Sequence, residues 1–200
     1  KKEDVKRVFA GLRPLAAQQG DSLQTKEVSR HHKVNVSTSG LISVLGGKWT
    51  TYRKIAEDTI NTVFMVSGLS ERKCNTETLP IFGFDPTTNW NDPLHFYGTE
   101  AKKVESLYLR GNKSLSDKLY ITKNQICWAI KSEMAMTLED VLARRTRCLF
   151  LDAYETEKIA PKVAEIMAIE LKKEKKWIIQ ELKNFNLIDR KSTRLNSSHQ

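Results

Sequence analysis

An apolar run, Leu41 to Leu45, ends in two glycines, Gly46 and Gly47, and gives way to a helical pattern from about Thr50 to Val63. A strand end, a glycine turn and a helix start leave little freedom for the fold around them. Glycine reaches backbone conformations closed to other residues, and the first turn of a helix has N–H groups with no partner inside the helix. Such a junction aims amide hydrogens and the positive end of the helix at one point, where an anionic or electron-rich ligand is the usual occupant. Lys48 adds a full positive charge there. A Gly-Gly-Lys turn alone equally fits a plain strand–helix connection.

The flanking sequence supplies the elements such a junction needs. Between Val28 and Val36, Val28, Arg30, His32, Val34 and Val36 fall on one side and Ser29, His31, Lys33 and Asn35 on the other. Alternation of this kind predicts a strand. Ser37–Gly40 reads as a turn, so Val28–Val36 and Leu41–Leu45 form a hairpin. Two strands are not stable alone in water, so their sheet must draw its other strands from elsewhere. Val8-Phe9-Ala10 reads as a further short strand entering the loop Gly11-Leu12-Arg13-Pro14-Leu15, where Pro14 holds Arg13 extended. Residues 16–25 read as a polar loop. After the glycines, Tyr52, Ile55, Ala56, Thr59, Ile60 and Val63 lie at helical spacing and predict one apolar face. Ser67–Asp92 is rich in Pro, Gly, Asn and Thr and reads as a linker containing one short strand, Leu79–Phe84.

From Gly98 the pattern turns helical. Thr99 is the expected cap of a helix reaching about Leu109, and Lys123–Glu133 reads as a second. Thr137-Leu138-Glu139-Asp140 opens a third with acidic residues in its first turn. Pro161 is expected in the first turn of a helix from Lys162 to about Leu171, and Lys175–Phe185 closes with Trp177, Ile178, Leu182 and Phe185 as an apolar stripe. Trp128 and Trp177 are read as core. Arg144, Arg145 and Arg147, with Glu139 and Asp140, are read as an ion-pair network joining the domains. The fold class is therefore α+β: a partial sheet with a strand–turn–helix unit, followed by an all-α domain. The expected boundaries are 1–66 for the first domain, 67–97 for the linker and 98–188 for the helical domain. The tail 189–200 resembles a translated sequencing adapter and is read as an artefact.

Composition narrows the function classes. Of 200 residues, 40% are hydrophobic and 28% charged, ordinary for a globular protein. No run of about 18 apolar residues exists to span a membrane, and a signal peptide is not expected. Three separated cysteines, Cys74, Cys127 and Cys148, argue for a reducing compartment and against a disulfide frame or a metal site. The net charge is +9; three cations against one carboxylate in the tail account for +2, leaving +7. Part of the surplus lies in Lys172–Lys176, interleaved with Glu170 and Glu174, the pattern of a solvated helix face. A nucleic-acid partner is not expected.

Phe9-Ala10-Gly11-Leu12-Arg13-Pro14-Leu15, then Ser29-Arg30-His31-His32-Lys33-Val34, then Gly46-Gly47-Lys48-Trp49-Thr50-Thr51-Tyr52-Arg53-Lys54 together resemble FAD-dependent glycerol-3-phosphate dehydrogenase of the aerobic type. Trp128-Ala129-Ile130, Glu133-Met134-Ala135 and Leu138–Arg147 are similar to the C-terminal domain of that family, and the wording is nearer its bacterial members. The family's Gly-x-Gly-x-x-Gly motif, which receives the FAD pyrophosphate, is absent, so the chain corresponds to roughly the C-terminal third or more of such an enzyme and is expected to bind no flavin alone. The resemblance implies oxidation of glycerol 3-phosphate to dihydroxyacetone phosphate, with FAD as cofactor and a quinone as electron acceptor. It implies cofactor binding by Gly46, Gly47, Lys48, Trp49, Thr50 and Thr51. Substrate binding is implied for Arg13, Arg30 and Lys48, since an arginine fork grips phosphate through two oxygens. A catalytic role is implied for Lys48, as a lysine that desolvation could turn into a base. His31 and His32 read as hydrogen-bonded or exposed strand residues rather than bases. The implied location is cytoplasmic, with peripheral contact at the inner face of the membrane in which Lys172–Lys176 could take part. Two alternatives remain: an oxidase passing electrons to oxygen, and a basic helical interaction module without catalysis.

Overall fold

The computed structural model describes residue 5 and residues 31–194, with side chains as far as residue 186. Contacts divide residues 31–194 between Phe82 and Gly83 into two compact units.

In the first unit, β1 (Lys33–Val36) and β2 (Ile42–Leu45) pair antiparallel, with Lys33 opposite Leu45 and Val36 opposite Ile42. The expected hairpin is present, but its first strand begins at Lys33 rather than Val28; residues 28–30 lie outside the described residues and His31 and His32 are not part of the strand. Its turn closes through Ser37, whose N–H donates to Leu41 O at 2.9 Å and whose Oγ accepts from Leu41 N at 3.0 Å. A 3-10 turn, Trp49–Thr51, leads directly into α1 (Tyr52–Ser67), which ends at Gly68 in the left-handed conformation.

The inner face of α1 differs from expectation. Ile55, Thr59 and Val63 are half-buried as expected, but Tyr52, Ala56 and Ile60 are exposed and no side chain of the helix is fully buried. The reason is length. Sixteen helical residues extend about 24 Å, whereas a four-residue strand extends about 13 Å. The helix outruns the only sheet among the described residues. Leu79–Phe84, expected as a strand, is a chain of turns with Leu79, Ile81, Phe82 and Phe84 exposed. No strand among the described residues pairs with it, and Gly83 interrupts it at φ 84°.

The second unit is helical. Its helices are α2 (Ala101–Ser106), α3 (Lys123–Glu133), α4 (Cys148–Leu151), α5 (Ala153–Glu170) and α6 (Lys175–Arg194). Thr99 is not the cap of α2. Gly98, at φ 53°, kinks the chain and lies so close to Gly83 that a Cβ there would fall 1.8 Å from Gly83 O. The Thr99 N–H is spent on that same carbonyl, and Glu100 takes the cap position. The helix stops at Ser106 rather than near Leu109.

The span predicted for α3 is the span observed. Thr122 Oγ1 accepts from Gln125 N, and Gln125 Oε1 accepts from Thr122 N, so each side chain satisfies an orphan donor of the other's backbone. The start after Thr137 is also reciprocal. Asp140 Oδ2 accepts from the Met136 and Thr137 amides, while Thr137 Oγ1 accepts from Asp140 N. The chain then widens into a π-helical turn, Asp140–Arg145.

Pro161 lies inside α5, not in a first turn. The helix starts eight residues earlier because Asp152 caps it, accepting from Glu155 N at 3.0 Å. A mid-helix proline costs about 3 kcal/mol. That cost is offset by the buried face of Ile159, Ala160, Val163, Ala164 and Met167, each large aliphatic chain contributing about 1.5–3 kcal/mol. Pro161 and Glu157, whose carbonyl loses its donor, are both exposed, so water can serve that carbonyl.

The core gathers Ile126 and Ala129 from α3, Leu138 and Leu142 around the π turn, Val163 and Met167 from α5 and Phe185 from α6. Trp177, Ile178 and Leu182 pack against it, and Trp128 packs against Leu94, Tyr97 and Val104. The partners of Arg144 and Arg145 among the described residues lie close by in the chain. Arg144 pairs with Glu139 at 2.6 Å and Asp140 at 2.9 Å, and Arg145 donates to the last carbonyl of α3, Glu133 O, at 2.6 Å.

Candidate functional site

The site expected at the strand–helix junction is built from the backbone of Gly46 to Thr51. Gly46 and Gly47 have φ of 74° and 89°, the left-handed region where a side chain costs about 1–2 kcal/mol. Gly47 is also enclosed: a Cβ there would fall 2.5 Å from Ile55 Cδ1 and 3.3 Å from His32 Cβ. These two conformations turn the chain out of β2 and into the 3-10 turn within two residues.

Lys48 caps that turn with extended backbone. Its N–H donates to Thr51 Oγ1 at 3.3 Å, and its carbonyl accepts from the Thr51 N–H and hydroxyl, each at 3.0 Å. The Thr51 side chain thereby fixes the first turn. The amides of Trp49 and Thr50 have no acceptor among the described residues. Trp49 is 87% exposed beside them, its ring 5.6 Å from that of Tyr52. Lys48 is exposed, so any desolvation of its amine would come from sequence outside the described residues.

Arg13 and Arg30, the expected phosphate ligands, lie outside the described residues. His31 is exposed. His32 is hydrogen-bonded, as a strand histidine was expected to be: its Nε2 lies 2.9 Å from Asp58 Oδ2. Lys54 approaches the other oxygen of Asp58 at 2.9 Å and Glu57 at 3.2 Å. The Lys54 ammonium first, and His32 second, hold the Asp58 carboxyl below the usual carboxylate range against the opposing effect of desolvation. Arg53 is engaged away from the turn, with Glu57 and with Thr76. The sequence reading missed the Lys54–Asp58–His32 chain. The i,i+4 spacing of Lys54 and Asp58 was a visible signal for half of it; the contact to a strand 26 residues earlier was not.

Elsewhere the described residues offer little reactive chemistry. All three cysteines are free. Burial, and then Glu170 beside it, push the Cys127 thiol up to about 12, and burial raises that of Cys148. Among the described residues no cluster of His, Cys, Asp and Glu could hold a metal, and no helix is long and apolar enough to cross a membrane.

Residues 38–177 match the model of the C-terminal domain of alpha-glycerophosphate oxidase. The chain belongs to this family. It is 36% identical to a probable mitochondrial glycerol-3-phosphate dehydrogenase of Dictyostelium discoideum, over 92% of this chain and 32% of the relative. The mitochondrial glycerol-3-phosphate dehydrogenase of Mesocricetus auratus is 33% identical over 84% of this chain and 26% of its own length. Glycerol-3-phosphate dehydrogenase 1 of Mycobacterium bovis is 37% identical over 72% and 31%. The chain thus spans about a third or less of each relative. The family match begins within the hairpin, passes through the glycine turn and ends in α6, so it covers both units.

Proposed function

We propose that this chain supplies the C-terminal part of a flavoenzyme that oxidises glycerol 3-phosphate to dihydroxyacetone phosphate. The observation that carries the reading is the Gly46–Thr51 turn: two left-handed glycines, two amides without acceptors among the described residues, and an exposed lysine at the start of a helix. This donor set fits the electron-rich carbonyl edge of a flavin. Backbone N–H groups at a helix start favour negative charge and need no reorganisation to meet it. The flavin, when bound, supplies the two-electron acceptor chemistry.

In this reading Gly46, Gly47, Lys48, Trp49, Thr50 and Thr51 hold the cofactor, the glycines by letting the backbone approach closely. Lys48 contacts the substrate hydroxyl and can hold or receive its proton. Arg13 and Arg30 bind the substrate phosphate. Electrons pass on to a quinone, and the enzyme meets the membrane peripherally. A glycerol-3-phosphate oxidase would use the same turn and differ only in its acceptor. The interaction-module reading finds less support, since Lys54, Lys103, Lys131, Arg144 and Lys158 are each paired with carboxylates.

A chimera joining the N-terminal two thirds of the Dictyostelium relative to this chain tests the proposal. It is expected to bind flavin and reduce a dye in the presence of glycerol 3-phosphate. The Lys48→Ala chimera is expected to keep the flavin and lose turnover by about 10²-fold or more. A flavin-loaded chimera inert toward glycerol 3-phosphate, or one indifferent to Lys48→Ala, would overturn it.

A further inference from the structure

Two histidines precede β1, and the proposed chemistry uses neither. His32 is in contact with the turn that the proposal depends on. His32 directly precedes Lys33, whose partner across the hairpin, Leu45, directly precedes Gly46. Its Cβ stands 3.3 Å from where a side chain on Gly47 would begin. Its ring reaches across to α1, with Nε2 2.9 Å from Asp58 Oδ2. The other oxygen of Asp58 is held by Lys54 at 2.9 Å. Both oxygens of one carboxylate are thus committed, one to the strand side of the glycine turn and one to the helix that leaves it.

We propose that His32 is a positioning residue: through Asp58 it clamps the end of β1 to α1 beneath Gly46 and Gly47 and so sets where the amides of Lys48–Thr51 point. The significance of those amides rests on the flavin reading above; the clamp itself does not. The physical need follows from the turn's composition. Two adjacent glycines have the largest conformational freedom to lose, and the turn's own bonds, Lys48 to Thr51, lie wholly downstream of them. Nothing within the turn fixes its upstream half. A bond between strand and helix 26 residues apart does, because it closes the loop that contains both glycines. His32 and Asp58 are 21% and 33% exposed, so the bond is shielded from water more than a surface pair and retains directional value. Ile55 fills the space on the other side of Gly47, so the turn is wedged between an apolar contact and a polar one.

Amide hydrogen exchange on the 200-residue chain tests the clamp without any flavin. In His32→Ala and in Asp58→Ala, exchange at Lys48 and Thr51 is expected to accelerate about tenfold, while the amides of Ser37 and Gly40 at the far end of the hairpin and of Ile126 in α3 stay unchanged. The double variant is expected to exchange no faster than either single one, and His32→Gln, which keeps a donor at similar reach, is expected to restore most of the protection. Unchanged exchange at Lys48 and Thr51, or acceleration spread evenly along the hairpin, would overturn the proposal. Should His32→Ala unfold the hairpin, Asp58→Asn decides: it keeps the shape and weakens the acceptor, and an unaltered exchange rate there would equally overturn the clamp. In the flavin-loaded chimera, His32→Ala is expected to slow flavin reduction about tenfold with KM for glycerol 3-phosphate little changed. Loss of protection without any effect on flavin reduction would leave the clamp standing and refute the flavin reading of the turn.

Discussion

Gly111 lies flush against Asn124: a methyl group on its Cα would fall 1.7 Å from Asn124 Oδ1. Asn124 cannot yield. It is fully buried, and its Nδ2 donates to Glu105 O at 2.7 Å and to Asn112 Oδ1 at 2.9 Å, tying the end of α2 and the loop after it to α3. Gly111→Ala is therefore expected to destabilise the helical unit by about 1–3 kcal/mol, read as a lowered urea midpoint without a change in slope.

Glu181 of α6 places a carboxylate oxygen 3.0 Å from the buried N–H of Leu138, 43 residues earlier. Glu181→Ala leaves that donor without a partner and is expected to cost about 1–3 kcal/mol. Glu181→Gln keeps an acceptor and is expected to lose less than half as much. Chemical denaturation of the two variants checks the order; equal losses would show that packing, not the hydrogen bond, matters there.

Asp140 gives the unit an acid-sensitive joint. Burial alone would raise its carboxyl, but the amides of Met136 and Thr137, the Thr137 hydroxyl and Arg144 outweigh that and hold it below the usual value. A carboxyl depressed by folding stabilises fully above its unfolded value, about 3.9, and that contribution fades as pH falls through the folded value. Thermal melts of Asp140→Asn are expected to lie below those of the parent at pH 6 and to converge with them as pH falls through the depressed folded value.

Pro161→Ala restores the N–H that the Glu157 carbonyl lacks. The site is exposed and the backbone already helical, so stabilisation of on the order of 1 kcal/mol is expected, less than the full helix penalty because proline also restricts the unfolded chain. Calorimetry of the single variant decides the sign.

Gly47→Ala meets a φ of 89°, the Ile55 side chain and, less closely, His32 Cβ. Ile55→Ala in the same chain removes the closer contact but not the backbone strain. The double variant is expected to recover only part of the stability lost by Gly47→Ala alone; full recovery would show that crowding alone requires glycine there.

The amino-acid sequence by itself determined what depends on neighbours along the chain. The hairpin from alternation, α3 from its apolar spacing, the start at Thr137 and Asp140 and the strand–glycine–helix junction were all legible, because alternation, helical spacing and glycine turns are settled within a few residues. Tertiary structure decided the rest. Pro161 sits mid-helix because a buried face outweighs a local penalty, and Leu79–Phe84 is no strand because pairing requires a partner that strand propensity cannot supply. The cap of α2 moved because Gly98 meets the backbone of Gly83. His32 finds Asp58 only once a strand and a helix have been folded against each other. Contacts between residues distant in the chain depend on the geometry of whole elements, and no short window of sequence contains that geometry.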